Sequence, residues 1–225
     1  MARIYEYQGK EILKKVRIPV PKGRHARSPN EARQISMEIG KPVVIKAQVW
    51  ATGRFKAGGI KFAEHPLDAE IVANQLLGLE IKNLRVEKVL VEEKLNIEKE
   101  YYAGVIIDAS REVRAPVVMF STEGGMDIES VPSEKIAQMN VDVLRGFRLY
   151  DALNLCVKLK VPTQVLPSIA QAIMGLYQTF KGYNCRTAEI NPLVLTKDGR
   201  IVAGDCRIAI DDSSVFRHPE LGIDV

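Results

Sequence analysis

The 225-residue sequence contains little cysteine, and the positions of its cysteines indicate whether disulfide bonds or a bound zinc ion could stabilise the fold. Cys156, Cys185 and Cys206 are odd in number, far apart and outside any Cys-x-x-Cys pair. This argues against both a disulfide framework and a zinc site. The sequence also lacks an uninterrupted run of about 18 apolar residues and an N-terminal signal-peptide core, so we expect a cytoplasmic protein.

The sequence also lacks a large excess of charge of either sign. The formal net charge is only +4, and the basic residues are dispersed among acids. This distribution does not resemble a nucleic-acid-binding surface, although it suits a protein that holds a polyanion such as a nucleoside triphosphate. A hydrophobic content of 46% and a charged content of 27% are those of an ordinary globular protein. The length allows one large domain or two small ones.

Residue patterns predict helices and strands in mixed order. Apolar spacing and capping residues predict helices at 4–16, 29–39, 66–77, 142–160 and 167–181. Apolar runs predict strands at 42–49, 60–62, 86–92, 100–107, 116–120, 193–196 and 200–203. We therefore expect an α+β chain that folds as two lobes with a cleft between them, approximately residues 1–102 and 103–225.

The segment from Ala188 to Asp205 predicts a β-hairpin that turns at residues 197–199. Pairing about this turn would bring Glu189, Asn191 and Asp205 to the same end of an apolar ribbon. Oxygen ligands from an amide and a carboxylate suit Mg²⁺, which usually keeps phosphate and water as its other ligands. In the alternative interpretation, Asn191 and the proline after it only mark the start of a strand, and Asp205 is a solvated turn residue.

A second candidate feature is a strand that carries a lysine and leads into a glycine-rich basic loop. Lys46 lies in the apolar segment 42–49, and three glycines and two cations follow within residues 52–59. An unpaired buried ammonium is costly, so Lys46 either extends to the strand end or meets an anion. Glycines let backbone N–H groups face phosphates, although such loops can also be simple turns.

Several motifs occur in order along the chain: Tyr5-Glu6-Tyr7-Gln8-Gly9-Lys10, Val44-Ile45-Lys46-Ala47-Gln48, Lys56-Ala57-Gly58-Gly59, Ser121-Thr122-Glu123-Gly124-Gly125, Glu189-Ile190-Asn191-Pro192-Leu193 and Phe216-Arg217-His218-Pro219-Glu220. Together they resemble the ATP-grasp nucleotide-binding domain of the succinyl-CoA synthetase β subunit and related NDP-forming acyl-CoA ligases. The resemblance implies an ATP-grasp fold and a ligase that forms carbon–sulfur bonds.

The resemblance also implies roles for individual residues. It assigns the nucleotide's phosphates, sugar and base to Lys46, Gly53, Arg54, Phe55, Glu92 and Glu100. Within that set, Lys46 would contact the α and β phosphates, Glu92 the purine and Glu100 the ribose. Asn191 and Asp205 match Mg²⁺ ligands, and Glu189 matches a catalytic glutamate that helps position a phosphorylated histidine of the partner. The implied substrates are ATP or GTP, and the implied partners are a histidine-bearing α-type subunit and a separate C-terminal CoA-ligase domain.

The sequence departs from the family pattern near both candidate sites, and at the metal site the family's usual Asp-Gly-Lys is Asp205-Cys206-Arg207. Trp50, Thr52 and Phe55 stand where the family's phosphate loop usually has histidine and glycines, so the loop can be stiffer. Trp50 could stack on a base or pack against the protein. The family's C-terminal ligase domain is absent from these 225 residues, so we expect it either to be encoded separately or to follow in a longer protein.

Three other functions stay open at this point. A citryl-CoA synthetase or malate-CoA ligase component would differ in its acid substrate. A non-catalytic nucleotide-binding or scaffold module would keep the fold with an altered glycine loop. A carboxylate-amine ligase would share the nucleotide site but use no phosphohistidine.

Overall fold

The computed structural model describes residues 1–51, 53–110 and 114–223. Its internal contacts divide it into two compact units. The first comprises Met1–Ile4, Gln8–Val20 and the chain from Asn96 onward, and the second comprises Tyr5–Tyr7 and Pro21–Leu95. Residues 102 and 103, between which we expected an approximate boundary, both lie inside one long strand, and the units divide instead between residues 95 and 96.

The described residues contain helices and mainly antiparallel strands. The helices are α1 (Glu6–Lys15), α2 (Pro29–Ile39), α3 (Pro66–Leu76), α4 (Leu149–Lys158) and α5 (Leu166–Gly182). The strands are β1 (Ala2–Arg3), β2 (Gly23–Ala26), β3 (Val43–Ala47), β4 (Ile60–Ala63), β5 (Glu80–Ile81), β6 (Leu84–Arg85), β7 (Val89–Glu93), β8 (Ile97–Asp108), β9 (Ala115–Ser121), β10 (Ile136–Asn140), β11 (Cys185–Thr196), β12 (Ile201–Ala203) and β13 (Cys206–Ile210). This mixture confirms the predicted α+β class. None of the described helices has the length and apolarity that crossing a membrane requires.

The second unit is a four-stranded antiparallel sheet, in the order β2-β7-β3-β4, with α2 and α3 packed together. All residues of β3 are buried, as its apolar sequence predicts. Helix α2 begins where the sequence places its cap, because the Ser28 hydroxyl accepts the N–H of Glu31. It ends at Gly40, whose φ of 67° is the left-handed conformation that glycine adopts readily.

The first unit is built on a larger sheet in the order β1-β13-β11-β8-β9-β10, with β12 paired to β11. Helices α4 and α5 pack together, and α5 also contacts β11 and β8. The core combines apolar residues of both helices and the central strands, among them Ile173, Leu176, Val105 and Ile190. The predicted hairpin is confirmed, since Leu193 pairs with Ala203 and Leu195 with Ile201.

Two predicted elements differ from the structure. The predicted helix 142–160 is wrong over its first seven residues, because the side chain of Asp142 accepts the N–H groups of Leu144 and Arg145, and Gly146 has a φ of 72°. The strand that we predicted at 193–196 is the end of the twelve-residue strand β11, so Glu189 and Asn191 lie within that strand rather than at its start. Strands β1, β2, β5, β6 and β10 were not predicted.

Candidate functional site

The candidate residues fall on both units, five on the second unit and four on the first. In the second unit, Lys46 lies on β3, which is flanked by β7 and β4. Its Nζ lies 2.8 Å from Oε1 of Glu6 and 3.1 Å from Oε2 of Glu92. The two carboxylate side chains are each 2% exposed, and the Lys46 side chain is 9% exposed. The buried ammonium is therefore balanced by anions, as the cost of burying a charge requires.

Arg54 joins the same buried cluster from the glycine-rich loop. Its Nη2 lies 2.8 Å from Oε2 of Glu6, and its Nη1 donates to the carbonyl oxygen of Ala47 at 3.0 Å. Two cations and two carboxylates thus meet in one place, which we call the buried charge cluster: Glu6, Lys46, Arg54 and Glu92. Because the four formal charges cancel, the cluster can exist away from water while keeping two strong anion-binding groups together.

The described part of the glycine-rich loop, residues 53–59, is folded on itself. The N–H groups of Ala57, Gly58 and Gly59 donate to carbonyl oxygens within the loop, at residues 53, 55 and 54 respectively. Gly53 has a φ of 72°, and the Phe55 side chain is 68% exposed. The structure therefore places Gly53 and Phe55 on the same loop as Arg54. Thr52 lies outside the described residues.

Trp50 lies at the end of a column of aromatic rings in the second unit. Its ring stacks on Tyr5 with centroids 5.0 Å apart, Tyr5 stacks on Tyr7, and Tyr7 stacks on His25. Lys88 Nζ lies 5.0 Å from the centroid of the Tyr5 ring. Partial burial, with the charge of Lys88 acting in the same direction, lowers the pKa of His25. Trp50 therefore packs on another ring of the same unit.

In the first unit, Asn191 and Asp205 lie side by side. The N–H of Asn191 donates to the carbonyl oxygen of Asp205 at 3.2 Å, and the N–H of Gly204 donates to the carbonyl oxygen of Pro192 at 2.9 Å. The Asn191–Pro192 peptide bond is cis. The register of β11 against β8 shifts between Ile190 and Leu193. Asn191 lies at this break in the regular pairing, where its side chain can hydrogen-bond to a neighbouring loop.

That loop is the Gly-Gly segment after β9. The side-chain Oδ1 of Asn191 accepts the N–H of Gly125 at 2.8 Å, and its Nδ2 donates to the carbonyl oxygen of Met126 at 2.9 Å. A donor on one side and an acceptor on the other determine which way the amide points. A Cβ on Gly125 would lie 2.3 Å from Oε2 of Glu100, so the same loop also lies against the Glu100 carboxylate.

Glu189 lies two residues before Asn191 on β11 and pairs with Arg207 of β13. Burial raises the pKa of the Glu189 carboxyl, and the charges of Asp205 and Glu129 act in the same direction, whereas Arg207 and a hydrogen bond from Asn191 lower it. The pKa of nearby Tyr102 is also raised, mainly by burial. Glu189 is therefore a partly buried acid with one basic and two acidic side chains acting on it.

The candidate metal ligands in the first unit supply only part of the oxygen ligands that a hard cation needs. Asn191 and Asp205 supply an amide and a carboxylate, which are oxygen ligands of the kind that Mg²⁺ takes. Within residues 1–51, 53–110 and 114–223, no three or more His, Cys, Asp and Glu side chains are grouped so as to hold a metal ion. A metal held by Asn191 and Asp205 would therefore need further ligands from phosphate and water.

Sequence reasoning assigned no role to two buried charged residues of α1. Glu6 belongs to the buried charge cluster, and Lys10, which is 3% exposed, donates from Nζ to the carbonyl oxygen of Gly204 at 2.9 Å, next to Asp205. A signal was present in the sequence, because Glu6, Lys10 and the buried Leu13 follow one another at helical spacing on one face. Charged residues on the apolar face of a helix indicate buried ion pairs or hydrogen bonds.

Comparison with known proteins gives consistent matches. Residues 3–195 match the family described as ATP-grasp domain. The β subunit of the GDP-forming succinate–CoA ligase of Thermus thermophilus is 46% identical over 221 residues, covering 97% of this chain and 58% of that protein. The β subunit of the ADP-forming succinate–CoA ligase of Methanocaldococcus jannaschii is 43% identical over 219 residues, covering 96% of this chain and 59% of that protein. The chain spans about three fifths of the length of these curated relatives.

Solved structures with a similar fold are more distant in sequence. Dinucleotide-forming acetyl-coenzyme A synthetase 1 of Ca. Korarchaeum cryptofilum has a TM-score of 0.76 at 22% identity, and the match covers 94% of each chain. ATP citrate lyase from Methanothrix soehngenii has a TM-score of 0.74 at 20% identity, covering 98% of this chain and 53% of that one. At these identities the similarity concerns the fold alone.

Proposed function

We propose, because the chain belongs to the ATP-grasp domain family, that it is the nucleotide-binding part of an NDP-forming acid–CoA ligase. Family membership and the similar solved structures confirm the predicted ATP-grasp fold. The observation that carries the functional proposal is the buried charge cluster, in which Lys46 and Arg54 are held beside a glycine-rich loop. Two cations at fixed positions are what the phosphates of a nucleotide require.

In this proposal the candidate residues of the two units have distinct tasks. Lys46 and Arg54 bind the nucleotide phosphates, with Gly53 and Phe55 on the same loop, and Glu92 and Glu100 act on the base and ribose. Asn191 and Asp205 would hold Mg²⁺, which supplies positive charge to the transferring phosphoryl group when it is bound. Positioning and charge stabilisation are the main demands of phosphoryl transfer, and these side chains provide both.

The acceptor of the phosphoryl group would be a histidine on an α-type partner subunit, with Glu189 as the catalytic residue that positions it. Burial raises the pKa of Glu189, so its carboxyl binds a proton more readily than an exposed glutamate does. Such a group can hold an imidazole by a hydrogen bond in either protonation state. The carboxylic acid, the CoA-ligase domain and a cytoplasmic location belong to the same proposal. The relatives include both GDP-forming and ADP-forming enzymes, so ATP and GTP both remain candidates.

The non-catalytic nucleotide-binding module is the second candidate, and one observation favours it. In the structure the N–H groups of residues 57–59 donate within their own loop, and both cations of the cluster are paired with carboxylates. A loop with these internal bonds must rearrange, or bind through its side chains, to hold a phosphate. Measured nucleotide binding distinguishes the two candidates.

The test is calorimetric titration of the full chain with ATP, ADP, GTP and GDP, with and without Mg²⁺. We expect Mg²⁺-dependent binding that Asp205→Ala and Arg54→Ala each weaken about tenfold or more, which corresponds to about 1.4 kcal/mol. Asp198→Ala is a matched control, since Asp198 lies in the exposed hairpin turn and pairs with Arg200. Absence of binding to every nucleotide would refute the proposal for this chain. Binding without transfer to a histidine-bearing partner would favour the non-catalytic module.

A further inference from the structure

The buried charge cluster contains a residue to which neither the motifs nor the comparisons assign a role. We infer that Glu6 is a positioning residue of the nucleotide site, which acts by holding Lys46 and Arg54 at a fixed separation. This inference rests on the proposed function, because it concerns the same phosphate-binding cations. It adds that the first turn of α1 takes part in binding nucleoside di- and triphosphates.

The geometry supports this role because the two oxygens of one carboxylate contact two different cations. Oε1 of Glu6 lies 2.8 Å from Lys46 Nζ, and Oε2 lies 2.8 Å from Arg54 Nη2. Glu92 contacts Lys46, and the carbonyl oxygen of Ala47 accepts from Arg54. Glu6 thus links a cation on a buried strand to a cation on the loop.

The physical need for such a link follows from the properties of the two cations. Lysine and arginine side chains each lose rotamer entropy when they are fixed, and two like charges at close range repel each other. A buried carboxylate between them offsets the repulsion and fixes both side chains before a ligand arrives. Binding then costs less ordering, which is the usual advantage of a preorganised site.

The opposite role is also physically reasonable and makes the inference testable. If Glu6 only neutralised the cations, it would compete with phosphate, and its removal would tighten nucleotide binding. If Glu6 positions them, its removal weakens binding although the site becomes more positive. The sign of the change in affinity therefore distinguishes the two roles.

The experiment measures the dissociation constant of MgADP or MgGDP, whichever the wild-type chain binds more tightly. Glu6→Gln preserves the size of the side chain and removes its charge, and we expect it to raise Kd about tenfold or more. Glu6→Asp keeps the charge but is one methylene shorter, so we expect a smaller rise, of about threefold or more. Glu38→Gln is the matched control, because Glu38 pairs with Arg24 on the surface of the same unit. We expect this variant to bind like wild type.

A second readout separates positioning from a general structural role. The corresponding nucleoside, titrated by ligand-observed NMR, has no phosphate for Lys46 and Arg54 to contact. We expect Glu6→Gln to weaken binding of the nucleoside diphosphate while it leaves nucleoside binding within about twofold of wild type. Equal weakening of both ligands would overturn the inference, since a disturbed fold would affect both.

The outcomes also separate this inference from the proposed function. If wild type binds nucleotide and both Glu6 variants bind equally well or more tightly, the inference is wrong while the nucleotide-binding function stands. If the wild-type chain binds no nucleotide, the proposed function and the inference about Glu6 are both wrong. Should Glu6→Gln fail to fold, as circular dichroism would show, Glu6→Asp alone decides, because an unchanged Kd in this variant overturns the inference.

Discussion

Replacing Gly124 by alanine tests how closely the Gly-Gly loop must approach strand β8. A Cβ at this position would lie 2.3 Å from the carbonyl oxygen of Tyr101 and 2.5 Å from its carbonyl carbon. These are backbone atoms of a strand that pairs on both sides, so they cannot move aside as the end of a flexible side chain could. The loop itself must therefore move by about 1 Å to reach ordinary van der Waals contact.

The cost of this movement follows from what the loop holds. Displacing it breaks two hydrogen bonds, one from the Gly125 N–H to Asn191 and one from Asn191 to the Met126 carbonyl oxygen, each worth about 0.5–1.5 kcal/mol. Keeping the bonds instead would strain the overpacked contact, which costs about 1–3 kcal/mol. The variant will adopt whichever of these two arrangements, a displaced loop or an overpacked contact, costs less free energy. We therefore expect Gly124→Ala to lower the free energy of unfolding by about 1–3 kcal/mol.

Urea unfolding followed by circular dichroism measures this change, and hydrogen exchange of the Gly125 amide reports the loop bond directly. Gly182→Ala is the control, because no atom beyond its chain neighbours and its own helix backbone lies within 4 Å of where its Cβ would be, and its φ is not positive. We expect this control to be neutral or slightly stabilising. An unfolding free energy for Gly124→Ala within about 0.5 kcal/mol of wild type, with Gly125 still protected, would refute the close approach.

Three further predictions concern other parts of the chain. Lys46→Met should lower the free energy of unfolding by about 3–5 kcal/mol, because it removes a buried partner of Glu6 and Glu92. Ser28→Ala should cost about 1 kcal/mol, since it removes the side-chain cap of α2. Because the pKa of Glu189 is raised above 4.5, its contribution to stability is fully present below that pH and is lost as the pH rises through the folded-state pKa. Glu189→Gln should therefore reduce the fall in stability between about pH 4 and pH 7.

Each of these predictions has a result that would contradict it. The prediction for Lys46→Met would be contradicted if this variant lost no more stability than Lys41→Met, in which an exposed lysine is replaced. For Ser28→Ala, the contrary result is an unchanged free energy of unfolding. For Glu189→Gln, it is a pH dependence of stability identical to that of wild type, measured by urea unfolding at several pH values.

Local chemistry made much of the secondary structure predictable. Helix α2 could be bounded to the residue, because a serine cap, a proline in the first turn and a left-handed glycine each satisfy a backbone requirement within a few residues. The hairpin that joins β11 to β12 was predicted for the same reason, since its turn contains Gly199 with a φ of 84°. These signals act over short distances, and they need no knowledge of the rest of the fold.

Several elements were missed or misplaced, among them strand β10 and the first part of the helix predicted at 142–160. Strand β10 pairs along its length with β9, and its five residues include only one β-branched or aromatic side chain, Ile136, so they carry little strand signal of their own. Residues 142–148 have helical apolar spacing, but side-chain bonds from Asp142 offer the backbone an alternative to the helix. In both places a hydrogen-bond partner, rather than residue propensity, determines the structure.

The sequence by itself determined the fold family, helix α2 with its caps, and the kinds of side chain available for binding phosphate and a hard cation. Only the tertiary structure decided which of them meet. It paired Lys46 with Glu6 and Glu92, brought Arg54 to the same carboxylate, and seated Asn191 against the Gly-Gly loop. The physical reason is that a buried charge must have a partner, but its sequence position does not say which distant residue that partner will be.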